Sequence, residues 1–431
     1  MRLQLADPSD HPLVVALPFG DDLAQWHLPH THEVLGLHRH VVRLIELGEG
    51  QQRTSYVVKE LPDRLAAREY RLLRGLREDR LPTVDAIGLV TDRSGGRDGL
   101  LVTRYLDYSL PYRTLLSRRG ATIADLGQRL LEAMVGLLVR LHLAGFYWGD
   151  CSLSNILFRR DAGALQAYVL DVETSERYET LTSGQRQLDV DIATENVAGG
   201  LLDLQAGGIL LADLDPWEIA TSIETSYRGL WSEVTRTEEF SIEEMSRLDS
   251  RLRRLNQLGF DVAEMQMITD DEGQRLKLRP RVAESGYHQD RLFALTGLRT
   301  GENQARRLLD DIAEFGAEIR ARTDTAPSEL VTAARWLDQR FTPSINSIPL
   351  SLVGKLEPAE IFHQLLEHRW YESERRGFEV PLEEALESYV ADVLARAPDE
   401  HLQLDAPTAE LRLDPSELLA GPGDDSRGRS D

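Results

Sequence analysis

Gly149-Asp150-Cys151-Ser152-Leu153-Ser154-Asn155-Ile156-Leu157-Phe158 is the stretch that decides the fold, and Asp171 completes it. Asn155 follows Asp150 by five positions, and Asp171 ends the apolar run Tyr168-Val169-Leu170 sixteen residues later. The turn Arg160-Asp161-Ala162-Gly163 separates two short runs, Asn155–Phe158 and Ala167–Asp171, so two strands joined by a turn are expected. Upstream, Leu126, Leu130, Met134, Leu137, Leu138 and Leu141 recur at helical spacing and predict a helix over Ile123–Ala144, with Gly145 as its C-cap.

Working outward, the next informative residue is Lys59. The chain has 49 basic residues, and only Lys59, Lys277 and Lys355 are lysines. Lys59 lies in the apolar run Tyr56-Val57-Val58-Lys59, inside a strand expected over Ser55–Glu60. A lysine ammonium is a compact point charge, unlike the planar guanidinium fork, so a chain that otherwise writes arginine has a different requirement here. Glu69 follows on a helix expected over Leu65–Leu76. Transfer of a phosphoryl group to a hydroxyl uses such a set. The five slots can be filled in chain order: Asp150 would orient or deprotonate the acceptor, Asn155 and Asp171 would hold Mg²⁺ against the nucleotide phosphates, and Lys59 would grip the phosphates while Glu69 fixes it.

This set resembles the protein-kinase-like superfamily, and most nearly its atypical bacterial members of the lipopolysaccharide-kinase and small-molecule phosphotransferase type. Val57-Val58-Lys59 resembles the strand with the phosphate-binding lysine, and Arg68-Glu69-Tyr70-Arg71-Leu72-Leu73 resembles the helix that pairs with it. Gly149-Asp150 through Asn155-Ile156-Leu157 resembles the catalytic loop in its small-molecule form, and Asp171 matches the metal-binding aspartate. The likeness spans roughly residues 40–235. It implies ATP and Mg²⁺ as cofactors, with Val57, Thr103 and Tyr105 around the nucleotide and Leu101–Leu106 as the hinge between lobes. Gly48 and Gly50 occupy the place of the phosphate-covering loop but lack its third glycine. Val172-Glu173 stands where Phe-Gly would follow the metal aspartate, and Glu173 is a candidate extra metal ligand. Asp189 and Asp191 are both claimants for the buried aspartate that anchors the catalytic loop. Ser152, in place of a basic residue, favours a sugar, a lipid-linked saccharide or another small molecule over a protein as acceptor. The whole chain also resembles an actinobacterial family that joins such a half to a helical C-terminal domain of unknown role. The rival reading is a nucleotide-binding pseudokinase with a regulatory or scaffold role.

Composition sets the outer bounds. A formal charge of −23 argues against general nucleic-acid binding, whose footprint would be basic. The single cysteine, Cys151, excludes an intrachain disulfide and fits the reducing cytoplasm. No apolar run is long enough to span a membrane, and the N-terminus does not read as a signal peptide.

The expected class is α+β and bilobal, followed by a mostly helical domain. An irregular segment is expected over 1–30, a strand-rich lobe over 31–107 and a helical lobe over 108–254. A helical domain opening on a hairpin follows over 255–400, then a largely disordered tail over 401–431. Further strands are expected over Val84–Thr91 and Leu100–Tyr105. Helices are expected over Glu33–Leu47 with Thr31 as N-cap, Leu110–Arg118, Ile192–Leu204, Trp217–Thr235, Ile242–Leu258, Tyr287–Thr296, Glu302–Arg322, Ser328–Phe341, Pro358–Arg376 and Pro381–Ala397. The C-terminal domain is expected to select the acceptor or to carry an oligomer or protein-partner contact.

Overall fold

Lys59 sits on one of the two middle strands of a six-stranded sheet in the computed structural model. The structure describes residues 1–28, 31–33, 40–49, 53–117, 123–210, 215–236, 238–241, 244, 246–248, 250–251, 262–270, 273–282, 286–323, 327–397 and 399–400. The strands are β1 (Arg2–Leu5), β2 (Thr31–Glu33), β3 (Val41–Leu47), β4 (Thr54–Leu61), β5 (Asp85–Thr91) and β6 (Gly99–Arg104), in spatial order β1-β5-β6-β4-β3-β2. Helix α1 (Asp63–Glu78) follows β4 through Pro62 and buries Ala66, Glu69, Tyr70, Leu73 and Leu76. Side chains alternate along a strand. Tyr56 and Val58 therefore face an outer core with Val14, Leu17, Phe19 and Trp26, and Lys59 takes the opposite face, toward α1.

Two expectations fail in this lobe. The helix expected over Glu33–Leu47 is instead strand from Val41 onward, and Thr31 begins β2 rather than capping a helix. Residues 34–39 lie outside the described residues. The run Val41-Val42-Arg43-Leu44-Ile45 fits both periods, and pairing decides it: each residue of β3 has a partner on β4, from Val41↔Glu60 to Leu47↔Thr54. The N-terminal segment is also less irregular than expected, because Arg2–Leu5 pairs with β5.

The next stretch is helical around a short sheet. Its elements are β7 (Ser109–Pro111), α2 (Tyr112–Ser117), α3 (Ile123–Leu143), β8 (Phe146–Tyr147), β9 (Ile156–Asp161), β10 (Ala164–Val169), β11 (Glu176–Arg177), α4 (Ser183–Ala206) and α5 (Pro216–Thr235). The first residues of the expected helix at Leu110 belong to β7, which pairs with β9. Helix α3 and the hairpin share one core containing Met134, Leu138, Leu141, Trp148, Ile156, Phe158 and Val169. Backbone bonds from Val84 N–H to Val169 O (3.1 Å) and from Val169 N–H to Pro82 O (3.0 Å) tie β10 to the first lobe.

A third region begins with β12 (Glu238–Ser241), β13 (Val262–Asp270) and β14 (Gly273–Val282), ordered β12-β14-β13. The hairpin was expected, but β12 was not; it pairs with β14 across the 254/255 division. The Ile242–Leu258 helix and the 401–431 tail fall largely or wholly outside the described residues. Then come α6 (Tyr287–Thr296), α7 (Glu302–Thr323), α8 (Glu329–Trp336), α9 (Thr342–Asn346), α10 (Pro358–Arg376) and α11 (Leu382–Asp392). They close over a separate core that includes Trp336, Phe341, Phe362 and Tyr389.

This helical region grips the turn of the β9–β10 hairpin. Asp161 is buried, and its carboxylate accepts from the backbone N–H groups of Asn303 (3.1 Å) and Gln304 (2.8 Å) and from Asn303 Nδ2 (3.2 Å), capping α7 from another part of the chain. Glu360 accepts from Ala162 N–H at 3.0 Å and from Gln304 Nε2 at 2.9 Å, and Arg159 pairs with Glu357.

Candidate active site

Three elements bring Lys59, Glu69 and Asp171 into contact. The Lys59 ammonium donates to Glu69 Oε2 at 3.1 Å and Oε1 at 3.3 Å, and to Asp171 Oδ2 at 2.8 Å. Glu173 Oε2 lies 4.0 Å from the same ammonium and 3.5 Å from His40 Nε2. Three carboxylates therefore share one lysine. Burial pulls the ammonium down, but Glu69 and Asp171 outweigh it, and its pKa ends above the ordinary lysine value. For Glu69, burial first and then the Asp171 charge push the carboxyl up to about 7, against the pull of Lys59.

The hairpin register explains how Asn155 meets Asp171. Ile156 pairs with Val169, so Asn155 enters opposite Leu170, whose N–H donates to Asn155 O at 3.0 Å. Asn155 Nδ2 donates to Asp150 O at 3.0 Å and to Asp150 Oδ2 at 3.1 Å. Both partners are acceptors, so the amide group faces them and the side-chain oxygen is left as an acceptor. Asp150 Oδ1 accepts from Asn196 Nδ2 on α4 at 3.0 Å.

Asp189 holds this loop from below. It is fully buried and accepts from Trp148 N–H (2.7 Å), Gly149 N–H (2.8 Å) and His142 Nε2 (3.0 Å). Asp189, not the exposed Asp191, thus anchors the loop. Burial holds His142 below the usual histidine pKa despite Asp189, and its Nδ1 meets Tyr227 Oη at 2.6 Å. Gly149 adopts φ 78°, and a Cβ there would lie 3.1 Å from Thr174 O and from the Tyr147 ring, which accounts for glycine before the aspartate. Thr174 and Ser175 hydroxyls donate to Trp148 O at 3.1 and 2.9 Å, and Trp148 Nε1 donates to Asp171 O at 2.9 Å. Arg68 of α1 reaches Ser175 O at 2.7 Å, tying α1 to the segment after Asp171. Cys151 is buried, and burial raises its thiol well above the usual value, so it is no thiolate nucleophile.

The remaining expected residues line the route between lobes. Val57 pairs with Thr103, whose hydroxyl lies 3.5 Å from Val57 O. Tyr105 donates its backbone N–H to Ser55 O at 2.9 Å, and burial pushes its hydroxyl up to about 12. Gly48 turns the chain at φ 101° where β3 ends, and Gly50 lies outside the described residues. Among the described residues no cluster of three or more His, Cys, Asp or Glu side chains is disposed to hold a metal by itself. The donor set of Asn155 and Asp171 fits Mg²⁺, which takes one or two protein oxygens and completes its shell with phosphates and water.

Of the contribution of α4, the sequence offers Asp189 as one of two claimants for the loop anchor but does not reveal Asn196. The expected start of α4, Ile192, omits the first turns, although Thr182 and Gln185 form a capping box that marks them.

Comparison with known proteins follows the same division. Residues 38–192 match the model of the lipopolysaccharide kinase (Kdo/WaaP) family. Residues 229–394 match a domain of unknown function (DUF4032). A solved structure titled "WaaP in complex with acyl carrier protein" is 20% identical with a TM-score of 0.37, and the match covers 60% of this chain and 99% of that one. No curated protein matches the chain significantly. The kinase-family stretch contains Lys59, Glu69, Asp150, Asn155, Asp171 and Asp189, while Asn196 lies beyond its end.

Proposed function

We propose that the protein is an ATP-dependent phosphotransferase acting on a hydroxyl of a saccharide, a lipid-linked saccharide or another small polar acceptor. The carrying observation is Lys59 bridging Glu69 and Asp171 beside the Asp150–Asn155 pair. Lys59 holds the nucleotide phosphates, with Glu69 fixing its position. Asp150 takes the acceptor proton as the acceptor oxygen bonds to the terminal phosphorus and the bond to the ADP oxygen breaks. Asn155 and Asp171 would hold Mg²⁺, which neutralises charge on the phosphates. Glu173 is close enough to assist them. Ser152 and Gly149 leave no basic side chain beside Asp150 in the loop, which supports a non-protein acceptor. The saccharide class also follows the family matched by residues 38–192. The setting proposed is cytoplasmic, where ATP is at hand; no described helix is long and apolar enough to cross a membrane.

The test is Mg²⁺-dependent ATP turnover by the full chain, alone and with saccharide acceptors. Turnover lost in Asp150→Ala, with ATP binding retained, supports the reading. Binding without any turnover in the wild type would favour the pseudokinase instead.

A further inference from the structure

Helix α4 meets the loop Trp148–Cys151 at two places. Asp189 takes the N–H groups of Trp148 and Gly149, and Asn196 reaches Asp150 Oδ1 at 3.0 Å and Cys151 O at 3.2 Å. Seven residues separate Asp189 from Asn196, which is two helical turns, so both project from one face about 10 Å apart. The loop turns at Gly149 (φ 78°) between the two contacts, so the helix fixes the chain on either side of the turn. The helix therefore acts as a ruler against which four consecutive loop residues are set. The amide group of Asn196 faces two acceptors, so it is the donor to both. Asn155 donates to the other carboxylate oxygen of Asp150. Two amides from two elements thus fix the plane of one carboxylate, one on each oxygen.

We infer that Asn196 is a positioning residue for phosphoryl transfer, setting the direction in which Asp150 meets the acceptor hydroxyl. The inference rests on the phosphotransferase reading above, and it assigns a role to a residue outside the stretch that matches the kinase family. A bland tie between helix and loop would need only the Cys151 carbonyl. The bond to Asp150 is what makes the role functional, because a side chain rather than backbone is being held.

The test compares Asn196→Ala and Asn196→Asp with wild type in Mg–ATP turnover, with water as acceptor. Alanine is a good residue in mid-helix, so α4 is not weakened by the change. Loss of one hydrogen bond to a charged group predicts a fall in kcat of about tenfold for Asn196→Ala. Asn196→Asp, which sets an oxygen against two acceptors, should fall further. The KM for ATP of Asn196→Ala should stay at the wild-type value, and its thermal midpoint should fall only slightly, through the lost bond to Cys151 O. A crystal structure of Asn196→Ala gives a readout independent of turnover: the Asp150 carboxylate should leave its present rotamer. Wild-type kcat in both variants, or an unmoved Asp150, overturns the inference. So does a rise in KM that accounts for the whole effect. If Asp171→Asn leaves wild-type turnover intact, the phosphotransferase reading itself is wrong, and the role of Asn196 falls with it.

Discussion

The two ends of the β9–β10 hairpin carry opposite electrostatic arrangements. At one end Asn155 and Asp171 enter the cleft, where Asp171, Glu69 and Glu173 crowd around the single ammonium of Lys59. At the other end Asp161 is buried against the helical region, where its carboxylate accepts three hydrogen bonds from the start of α7. The strands between span roughly 17 Å at 3.3 Å per residue. Neutral N–H donors, two of them backbone and one the Asn303 side-chain amide, satisfy the turn end, and they do so only in one rigid geometry. The cleft end keeps an excess of negative charge beside a partly exposed carboxylate, which suits a site that receives a cation with its ligand. Carboxylates of the same kind therefore serve as a fastening in one place and as a binding site in the other. What separates them is whether the partner is a fixed neutral donor or a charge.

The largest expected effect breaks the cleft end alone. Asp171→Asn should lower Mg–ATP turnover by about a thousandfold, roughly 4 kcal/mol of transition-state stabilisation. The thermal midpoint should hold or rise, because Lys59 keeps Glu69 and loses a competitor. Turnover assays beside a thermal melt check both halves, and a melt that collapses with activity would make Asp171 a fastening after all. Lys59→Arg comes next. The charge survives but the fork cannot sit where a point charge touched two carboxylates, so turnover should fall about a hundredfold with little change in stability. Asp161→Ala attacks the turn end. It leaves the N–H groups of Asn303 and buried Gln304 unpaired and should cost about 2 kcal/mol in chemical denaturation. The dissociation constant for Mg–ATP should shift by no more than about threefold, a small fraction of that energy. An equal loss in both would mean that the two ends act as one unit.

The two ends also differ in how far they could be read from sequence. Lys59, Glu69, Asp150, Asn155 and Asp171 each lie in a locally patterned frame, and the hairpin register is implied by the turn between its strands. Their meeting point follows from element order alone. The run Val41–Leu47 fits a helical stripe as well as a strand, and only pairing with β4 separates the two. Asp161 looked like an ordinary turn residue, since its partners Asn303 and Gln304 lie more than 140 positions away. Asn196 was hidden for the same reason: its bond to Asp150 spans 46 positions and exists only once α4 packs on the loop.

The smallest effect is one of pH; its sign is the same at both ends, and the ligand separates them. Glu69 is pushed up to about 7, Glu357 to about 7 and Asp161 to about 6, each mainly by burial. Unfolded carboxyls titrate near 4, so between roughly pH 4 and 7 the folded protein holds more protons than the unfolded chain. Stability from these groups is then complete below about pH 4 and declines as pH rises through 6 and 7. Glu69→Gln and Glu357→Gln should each flatten part of that decline, measured as thermal midpoint against pH. Mg–ATP distinguishes them. Mg²⁺ held at Asp171 would bring cationic charge near Glu69 and favour its ionised form, so the ligand should flatten the decline in the wild type and in Glu357→Gln. In Glu69→Gln it should add nothing further, because the group it acts on is gone. By the same linkage, Mg–ATP should bind more tightly as pH rises through 7 in the wild type, and that dependence should weaken in Glu69→Gln. If the ligand flattens the profile of Glu69→Gln as much as that of the wild type, the raised carboxyl in the cleft is not the group that the cation relieves.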